Sequence, residues 1–262
     1  MIYFVTSSIS YLVLKKQYLS LNLKEAYIFL IYDTYDIKDK ESFISVKDSK
    51  LFLDTVELDN YLYYSLQETD YIINFDGFHI FSKKVLNKAQ FRSANFHPSP
   101  LPAYCGVNPV NWGIYNRELE WGSTWHRLTD KLDRGEIIHQ DIFSIDKNIT
   151  QVKLLNFSIF LGLKSLASVI NILKNSQGFK TSDKIFEYSI YCGSEQPKLH
   201  INSIEDVKRL ENVFPITPYH KWRWKLSLKD QYITAVSTSQ TKGSLKFKKY
   251  LILDGEKIYF AD

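Results

Sequence analysis

Three short runs, Ile2–Val5, Ala26–Tyr32 and Tyr71–Phe75, are apolar almost without interruption. A strand with one wet face alternates polar and apolar residues, whereas an unbroken apolar run has to be covered on both sides. Between the first two runs, Thr6 to Ser10 supply helix-cap chemistry, and Tyr11, Leu12, Leu14 and Tyr18 fall at helical spacing. Val56–Leu66 also reads as a helix. Apolar strands alternating with helices predict an α/β fold: an open, largely parallel sheet with helices on both faces. Ser123–Leu128 and Ile137–Ile145 are further strand candidates, and residues 150–175 carry a long helical period that closes the sheet domain. Residues 33–50, charged and irregular, are expected to form a surface connection.

The pattern changes near residue 180. Lys184–Cys192, Tyr232–Ser237 and Lys246–Phe260 look like short strands, and Asp254-Gly255 is a hairpin turn signal. The expected partition is therefore a catalytic sheet domain over 1–178 and a small β-rich domain over 179–262. No internal repeat or low-complexity linker interrupts the chain.

Composition excludes several classes. A net charge of +4, from 33 basic and 29 acidic residues, lacks the clustered excess of a dedicated nucleic-acid binder, so no nucleic-acid partner is expected. The same modest balance suits anionic small molecules. Cys105 and Cys192 make neither a disulfide framework nor a zinc site. The opening stretch has no basic residue ahead of its apolar part and is broken by Thr6, Ser7, Ser8 and Ser10. Neither a signal peptide nor a membrane span is expected, and the cytoplasm is the default. No G-x-G-x-x-G follows the first strand, which argues against a nicotinamide enzyme.

Chemistry concentrates between Ser93 and Gln140. In an open α/β sheet, ligands bind beyond the carboxyl ends of strands, which directs attention to the loops after Phe75 and Phe96. Asn95 and His97 are two apart at the end of a strand, so amide and imidazole project to one face. Pro98, Pro100 and Pro102 then stiffen the loop that follows. Asp133 precedes Gly135 in an expected turn between two strands. A carboxamide, an imidazole and a carboxylate can meet the oxygen charge that develops when an amine attacks a formyl carbon, and can collect the amine's proton. That chemistry needs no metal and no covalent intermediate.

The ordered set Asn95, His97, the Ser99-Pro100-Leu101-Pro102 loop and Asp133 before Gly135 resembles the N10-formyltetrahydrofolate-dependent formyltransferases. That family includes methionyl-tRNA, glycinamide ribonucleotide and nucleotide-sugar formyltransferases and the formylation domains of peptide synthetases. The resemblance implies a Rossmann-like domain with N10-formyltetrahydrofolate as cosubstrate. It also implies that Asn95 binds the formyl oxygen, that His97 stabilises the oxyanion or takes the amine proton, and that Asp133 tunes His97. By the same resemblance the pterin is held by Phe75, Gly77, Phe78 and Ile80 and by Arg127, Leu128, Thr129 and Leu132. Ser99, Tyr104, Asn108 and Trp125 fall on the acceptor side. The chain departs from the family pattern at Thr6-Ser7-Ser8, Pro100 and Cys105.

The expected acceptor is a small-molecule primary amine, foremost an amino sugar on a nucleotide carrier, with the β-rich tail holding substrate or forming a homodimer. Alternatives are an amino acid or peptide intermediate in natural-product assembly, methionyl-tRNA, and water, which would make the protein a 10-formyltetrahydrofolate hydrolase. His126 and His139 read as strand residues or substrate-loop neighbours, and Trp112 and Trp125 as core or pocket walls rather than chemical groups. Tyr219 to Trp224 reads as a surface of the β-rich domain.

Overall fold

The computed structural model describes residues 1–32, 48–89, 92–175 and 199–213. From 226 to 261 it describes all but 229, 230, 234, 238, 240, 243, 244, 247 and 248. The expectations for 33–47, Lys184–Cys192 and Tyr219–Trp224, and the boundary at 178, lie outside the described residues.

Seven strands form the main sheet: β1 (Ile2–Thr6), β2 (Tyr27–Tyr32), β3 (Ser49–Phe52), β4 (Tyr71–Phe75), β5 (Ser93–His97), β6 (Glu120–His126) and β7 (Ile137–Ser144). Their order is β3-β2-β1-β4-β5-β6-β7. The pairs from β3 to β5 are parallel, and β6 runs antiparallel to β5. The chain therefore moves outward from β1 through β2 to β3, then returns to lay β4 on the other side of β1. This reversal is the switch point at which open α/β sheets place their ligands. The three apolar runs are the strands expected of them, with β1 fully buried. Edge strand β3 begins at Ser49, inside the 33–50 stretch that the sequence suggested was irregular connection, and runs past it to Phe52.

Helix α1 (Ser8–Ser20) is capped by Ser7, whose Oγ accepts from the Ser10 N–H. Helix α2 (Thr55–Ser65) is capped by Asp54, which accepts from the N–H groups of Val56 and Glu57. Helices α3 (Lys83–Ala89), α4 (Pro109–Tyr115) and α5 (Gln151–Asn175) follow. On one face of the sheet Tyr11, Leu14 and Tyr18 of α1 join Leu163, Leu166, Val169, Ile170 and Leu173 of α5 over Phe4, Phe29, Phe75, Phe96 and Trp125. On the other face Leu58 and Leu62 of α2 and Val85 and Ala89 of α3 cover Tyr3, Val5, Leu30 and Ile72. Helix α5 is long and apolar enough to cross a membrane, yet its apolar stripe is spent on the sheet.

Contacts divide the chain into two units. The first comprises Met1–Cys105, Gly122–Ile142 and Ser158–Ser189; the second comprises Gly106–Trp121, Phe143–Phe157 and Ile190–Asp262. The division is thus not a single cut in the sequence. In the second unit, α4 packs on α6 (Ile204–Val213), and Arg117 pairs with Glu205. Its described strands are β8 (Leu199–Ile201), β9 (Leu226–Leu228), β10 (Gln231–Ile233), β11 (Ala235–Ser237), β12 (Thr241–Lys242), β13 (Leu245–Lys246), β14 (Lys249–Leu253) and β15 (Glu256–Ala261). The β14–β15 hairpin turns on Asp254 (φ 51°) and Gly255 (φ 81°), as the sequence signal predicts. Cys105 is buried, and Cys192 lies outside the described residues.

Candidate active site

Cross-strand register builds the site. Asn74 of β4 pairs with Asn95 of β5, and Asn95 pairs with His126 of β6. One step along, Phe75 pairs with Phe96, and Phe96 with Trp125. Because side chains alternate along strands, the aromatic row enters the core beneath α1 and α5. The rings of Phe75 and Phe96 stack at 4.8 Å, and Trp125 lies 5.7 Å from Phe75. The polar row therefore faces the other way, where Asp133 and His97 join it.

Hydrogen-bond directions in the row are forced from both ends. Asn74 Nδ2 donates to the Gly77 carbonyl at 3.1 Å and to Asn95 Oδ1 at 2.6 Å. His126 Nδ1 lies 2.8 Å from the Arg127 carbonyl, which can only accept, so Nδ1 carries the hydrogen. With its hydrogen on Nδ1, His126 presents Nε2 as an acceptor to Asn95 Nδ2 at 2.9 Å. The second hydrogen of Asn95 Nδ2 has only Asp133 Oδ1 in reach, at 3.4 Å. Asn95 is partly exposed, whereas Asn74, His97, His126 and Asp133 are buried.

His97 Nε2 donates to the Tyr104 carbonyl at 2.9 Å, so the neutral ring keeps its lone pair on Nδ1. That lone pair faces Asp133 Oδ2 at 3.5 Å, an acceptor opposite an acceptor. Burial holds the His97 pKa below its usual value; Asp133 and the Tyr104 carbonyl pull it upward, and His126 pushes it down. Asp133 has φ 52°, a left-handed turn conformation that Asp tolerates. Gly135 is needed two residues on, because a Cβ there would lie 1.8 Å from the Arg127 carbonyl that anchors His126.

The structure thus brings Asn95, His97 and Asp133 into one cluster and adds Asn74 and His126, which the sequence did not single out as site residues. A polar residue inside the otherwise apolar run Tyr71–Phe75 was the available signal for Asn74. For His126 the signal was its alternation with Trp125.

Among the residues expected beside the pterin, Phe75 is buried in the core and offers only backbone. Gly77 uses its carbonyl to hold Asn74, while Phe78 and Ile80 are exposed at 59% and 77%. Arg127 is buried, with Nε on Glu136 at 3.0 Å. Leu128 packs on the core with Phe81 and Val85. Thr129 closes a turn through the Lys131 carbonyl, and Leu132 is exposed. Lys83 meets Asp130 at 3.3 Å, so the start of α3, just after the β4 loop, lies beside the 127–133 turn.

Two acceptor-side expectations are corrected. Trp125 is fully buried, with Nε1 donating to the Gly162 carbonyl and to Ser165 Oγ, so its ring has no face left for a substrate. Ser99 is also fully buried: its hydroxyl donates to the Ala103 carbonyl, which spends the side chain on shaping the loop. Tyr104 contributes its backbone carbonyl to His97. Asn108, at φ 55°, precedes α4 in the second unit. His139 pairs with Asp141 along β7, and Trp112 is buried in the second unit. An open depression of about 390 Å³, lined by Ser49, Lys50, Leu51, Phe52, Glu57 and Tyr61, holds none of the cluster residues.

Residues 51–170 match the formyl transferase family. Over 125 residues the chain is 35% identical to the GDP-perosamine N-formyltransferase of Brucella melitensis, covering 48% of each protein. Over 144 residues it is 32% identical to the methionyl-tRNA formyltransferase of Clostridium tetani, covering 54% of this chain and 46% of that one. The match spans about half the length of these relatives. In fold, the chain resembles WlaRD, a sugar 3N-formyl transferase solved in the presence of dTDP and 5-N-formyl-THF. The TM-score is 0.60 at 21% identity, covering 99% of this chain and 96% of that one. A 4-N formyltransferase from Francisella tularensis gives 0.62 at 16% identity, covering 100% and 96%. The phosphoribosylglycinamide formyltransferase of Bacillus halodurans covers only 66% of this chain, with a TM-score of 0.53.

Proposed function

We propose, from the match of residues 51–170 to the formyl transferase family, that the protein moves a formyl group from N10-formyltetrahydrofolate to the primary amine of a nucleotide-linked amino sugar. The observation that carries this is the convergence of Asn95, His97 and Asp133, from a strand end and a distant turn, on one buried cluster with a single partly exposed amide.

A neutral amine adds to the formyl carbon, and negative charge grows on the formyl oxygen. Asn95 Nδ2 has a hydrogen held only by a long contact to Asp133, and it can turn this hydrogen to that oxygen. A donor already in place costs no reorganisation as the charge appears. The attacking nitrogen becomes cationic and must lose a proton. His97 is the acceptor: burial keeps it neutral near pH 7, and its lone pair is on Nδ1. Once Nδ1 is protonated, the contact with Asp133 at 3.5 Å becomes an ion pair, so the carboxylate stabilises the proton just received. Expulsion of the folate nitrogen then needs a proton, and the imidazolium of His97 can return one. The cycle balances, with the carbon bond to the folate nitrogen broken and a formamide formed.

The donor fits the crevice rim. Phe78, Ile80 and Leu132 leave large apolar surfaces exposed on the β4 loop and on the 127–133 turn, whose Asp130 meets Lys83 just after that loop. A flat heterocycle can cover such surfaces, and backbone groups of the turn can meet its polar edge. The amino-sugar acceptor is supported by the GDP-perosamine enzyme among the relatives and by fold likeness along the whole chain to sugar formyltransferases. The test is incubation with 10-formyltetrahydrofolate and a panel of nucleotide-linked amino sugars, amino acids and methionyl-tRNA. A mass gain of one CO on an amino sugar is expected. Formylation of tRNA or an amino acid alone would overturn the acceptor, and formate release without any amine would identify a hydrolase.

A further inference from the structure

Asn74 stands opposite Asn95 in the sheet register and is buried. Both hydrogens of its amide nitrogen are committed, one to the Gly77 carbonyl and one to Asn95 Oδ1 at 2.6 Å. Among the described residues its own Oδ1 is buried with no hydrogen-bond partner. That oxygen lies where residue 77 would carry a side chain: a Cβ on Gly77 would sit 2.2 Å from it. Val5, opposite Asn74 on β1, is apolar and offers that oxygen nothing. A buried acceptor without a donor is a cost, and Asn74 bears it while using its donor edge twice.

We propose that Asn74 is the positioning residue that fixes which edge of the Asn95 amide faces the reacting formyl oxygen, with Gly77 left bare to make room for it. The claim rests on the role given to Asn95 above. Oxygen and nitrogen of an amide are nearly the same size, so packing alone does not choose between the two flips of Asn95. Asn74 sets the choice from one end, with His126 Nε2 at the other: the Gly77 carbonyl forces the Asn74 nitrogen inward, and that nitrogen donates to Asn95 Oδ1. Asn95 Nδ2 is thereby turned toward His126, Asp133 and the crevice. With the amide reversed, an oxygen would meet the developing oxyanion, and acceptor would face acceptor at His126 Nε2.

Two substitutions of nearly equal shape separate orientation from packing. Asn74→Asp replaces the donor with an acceptor and opposes the working flip of Asn95; Asn74→Leu removes the donor and leaves the flip to His126 Nε2 and Asp133 Oδ1. Loss of one oxyanion donor costs on the order of 10²–10³ in kcat, and Asn95→Ala sets that ceiling in this enzyme. The expected order is a loss of about tenfold in kcat for Asn74→Leu and about a hundredfold for Asn74→Asp, with KM for donor and acceptor within about threefold. A residue that merely filled space would lower neither kcat selectively nor more for Asp than for Leu. If Asn74→Asp does not fold, Asn74→Leu decides alone: kcat within about twofold of the unaltered enzyme overturns the proposal. If Asn95→Ala keeps full kcat, the role of Asn95 falls and Asn74 with it. If Asn95→Ala collapses while both Asn74 variants keep their kcat, only the positioning role falls.

Discussion

Two buried histidines in this protein look alike by burial and by a neighbouring carboxylate, and their contacts differ. His97 ends β5 beside Asp133, while His79 sits in the loop after β4 beside Asp59. Burial lowers the pKa of both, against the upward pull of the neighbouring carboxylate. The difference is in the nitrogens. His79 Nδ1 is bonded to Thr55 Oγ1 at 2.9 Å, and Nε2 lies 3.3 Å from Asp59 Oδ1, so both edges of the neutral ring have partners. His97 has one edge bonded to a carbonyl and the other presented as a lone pair to a carboxylate. Burial with a nearby acid does not make a base; a nitrogen whose contacts improve on protonation does.

The two positions also hold different things in place. His79 ties the 77–82 loop to α2, with Asp59 Oδ1 also accepting from the Ser82 N–H at 3.0 Å. The ring of Phe81 packs edge-on against it at 4.7 Å. Side chains alternate along this loop: His79 and Phe81 point inward, while Phe78 and Ile80 point outward. The clamp therefore sets the surface proposed for the pterin without touching the reacting atoms.

The comparison breaks most sharply at His97. His97→Ala should lower kcat by about 10²–10⁴-fold, the range for removing a general base, with donor KM little changed. Steady-state formylation with saturating 10-formyltetrahydrofolate measures it. An equal kcat loss in His79→Ala would erase the distinction. The expectation for His79→Ala is a raised donor KM with kcat nearly intact. It should also destabilise the fold by about 1–3 kcal/mol, because Asp59 and Thr55 lose their buried partner; a denaturant melt checks this. Removing the Thr55 hydroxyl as Thr55→Val should give a weaker version of the same effects, about 1 kcal/mol.

How much of this contrast the sequence carries follows from what each feature depends on. Asn95 and His97 are legible because their relation is local: a spacing of two on a strand fixes a shared face. Apolar runs, broken in β4 only by Asn74, made β1, β2 and β4 readable for the same reason. Strand β3 was not, since Ser49–Phe52 is short and half polar and takes its strand character from pairing with β2. The row Asn74, Asn95, His126 depends on which strands are neighbours, and no spacing along the chain states that. Trp125 and Ser99 were assigned to the acceptor because they adjoin the motif in sequence. Alternation placed Trp125 on the core face, and the Ser99 hydroxyl was taken by its own loop. His79 stayed unnoticed because its partners, Thr55 and Asp59, lie more than a strand away in sequence.

The smallest expected effect discriminates between the two rings in one titration. A histidine whose folded pKa lies below the unfolded value of about 6.5 takes up its proton more readily in the unfolded chain. Its contribution to stability is therefore complete above about pH 6.5 and is lost as the pH falls from there toward the folded value. Each such ring contributes a slope of up to about 1.4 kcal/mol per pH unit within that window. His97 and His79 act in the same direction, so stability should fall on mild acidification, and His79→Gln should flatten the curve by one ring's share. Activity should respond differently. The acid limb of kcat/KM follows the base alone, so it should lie below pH 6.5 and keep its position in His79→Gln. In Asp133→Asn it should move to lower pH, because the carboxylate that pulls the His97 pKa upward is gone. A shift of the acid limb in His79→Gln as large as that in Asp133→Asn would mean that the clamp and the base titrate together, and the two histidines would have to be treated as one coupled unit.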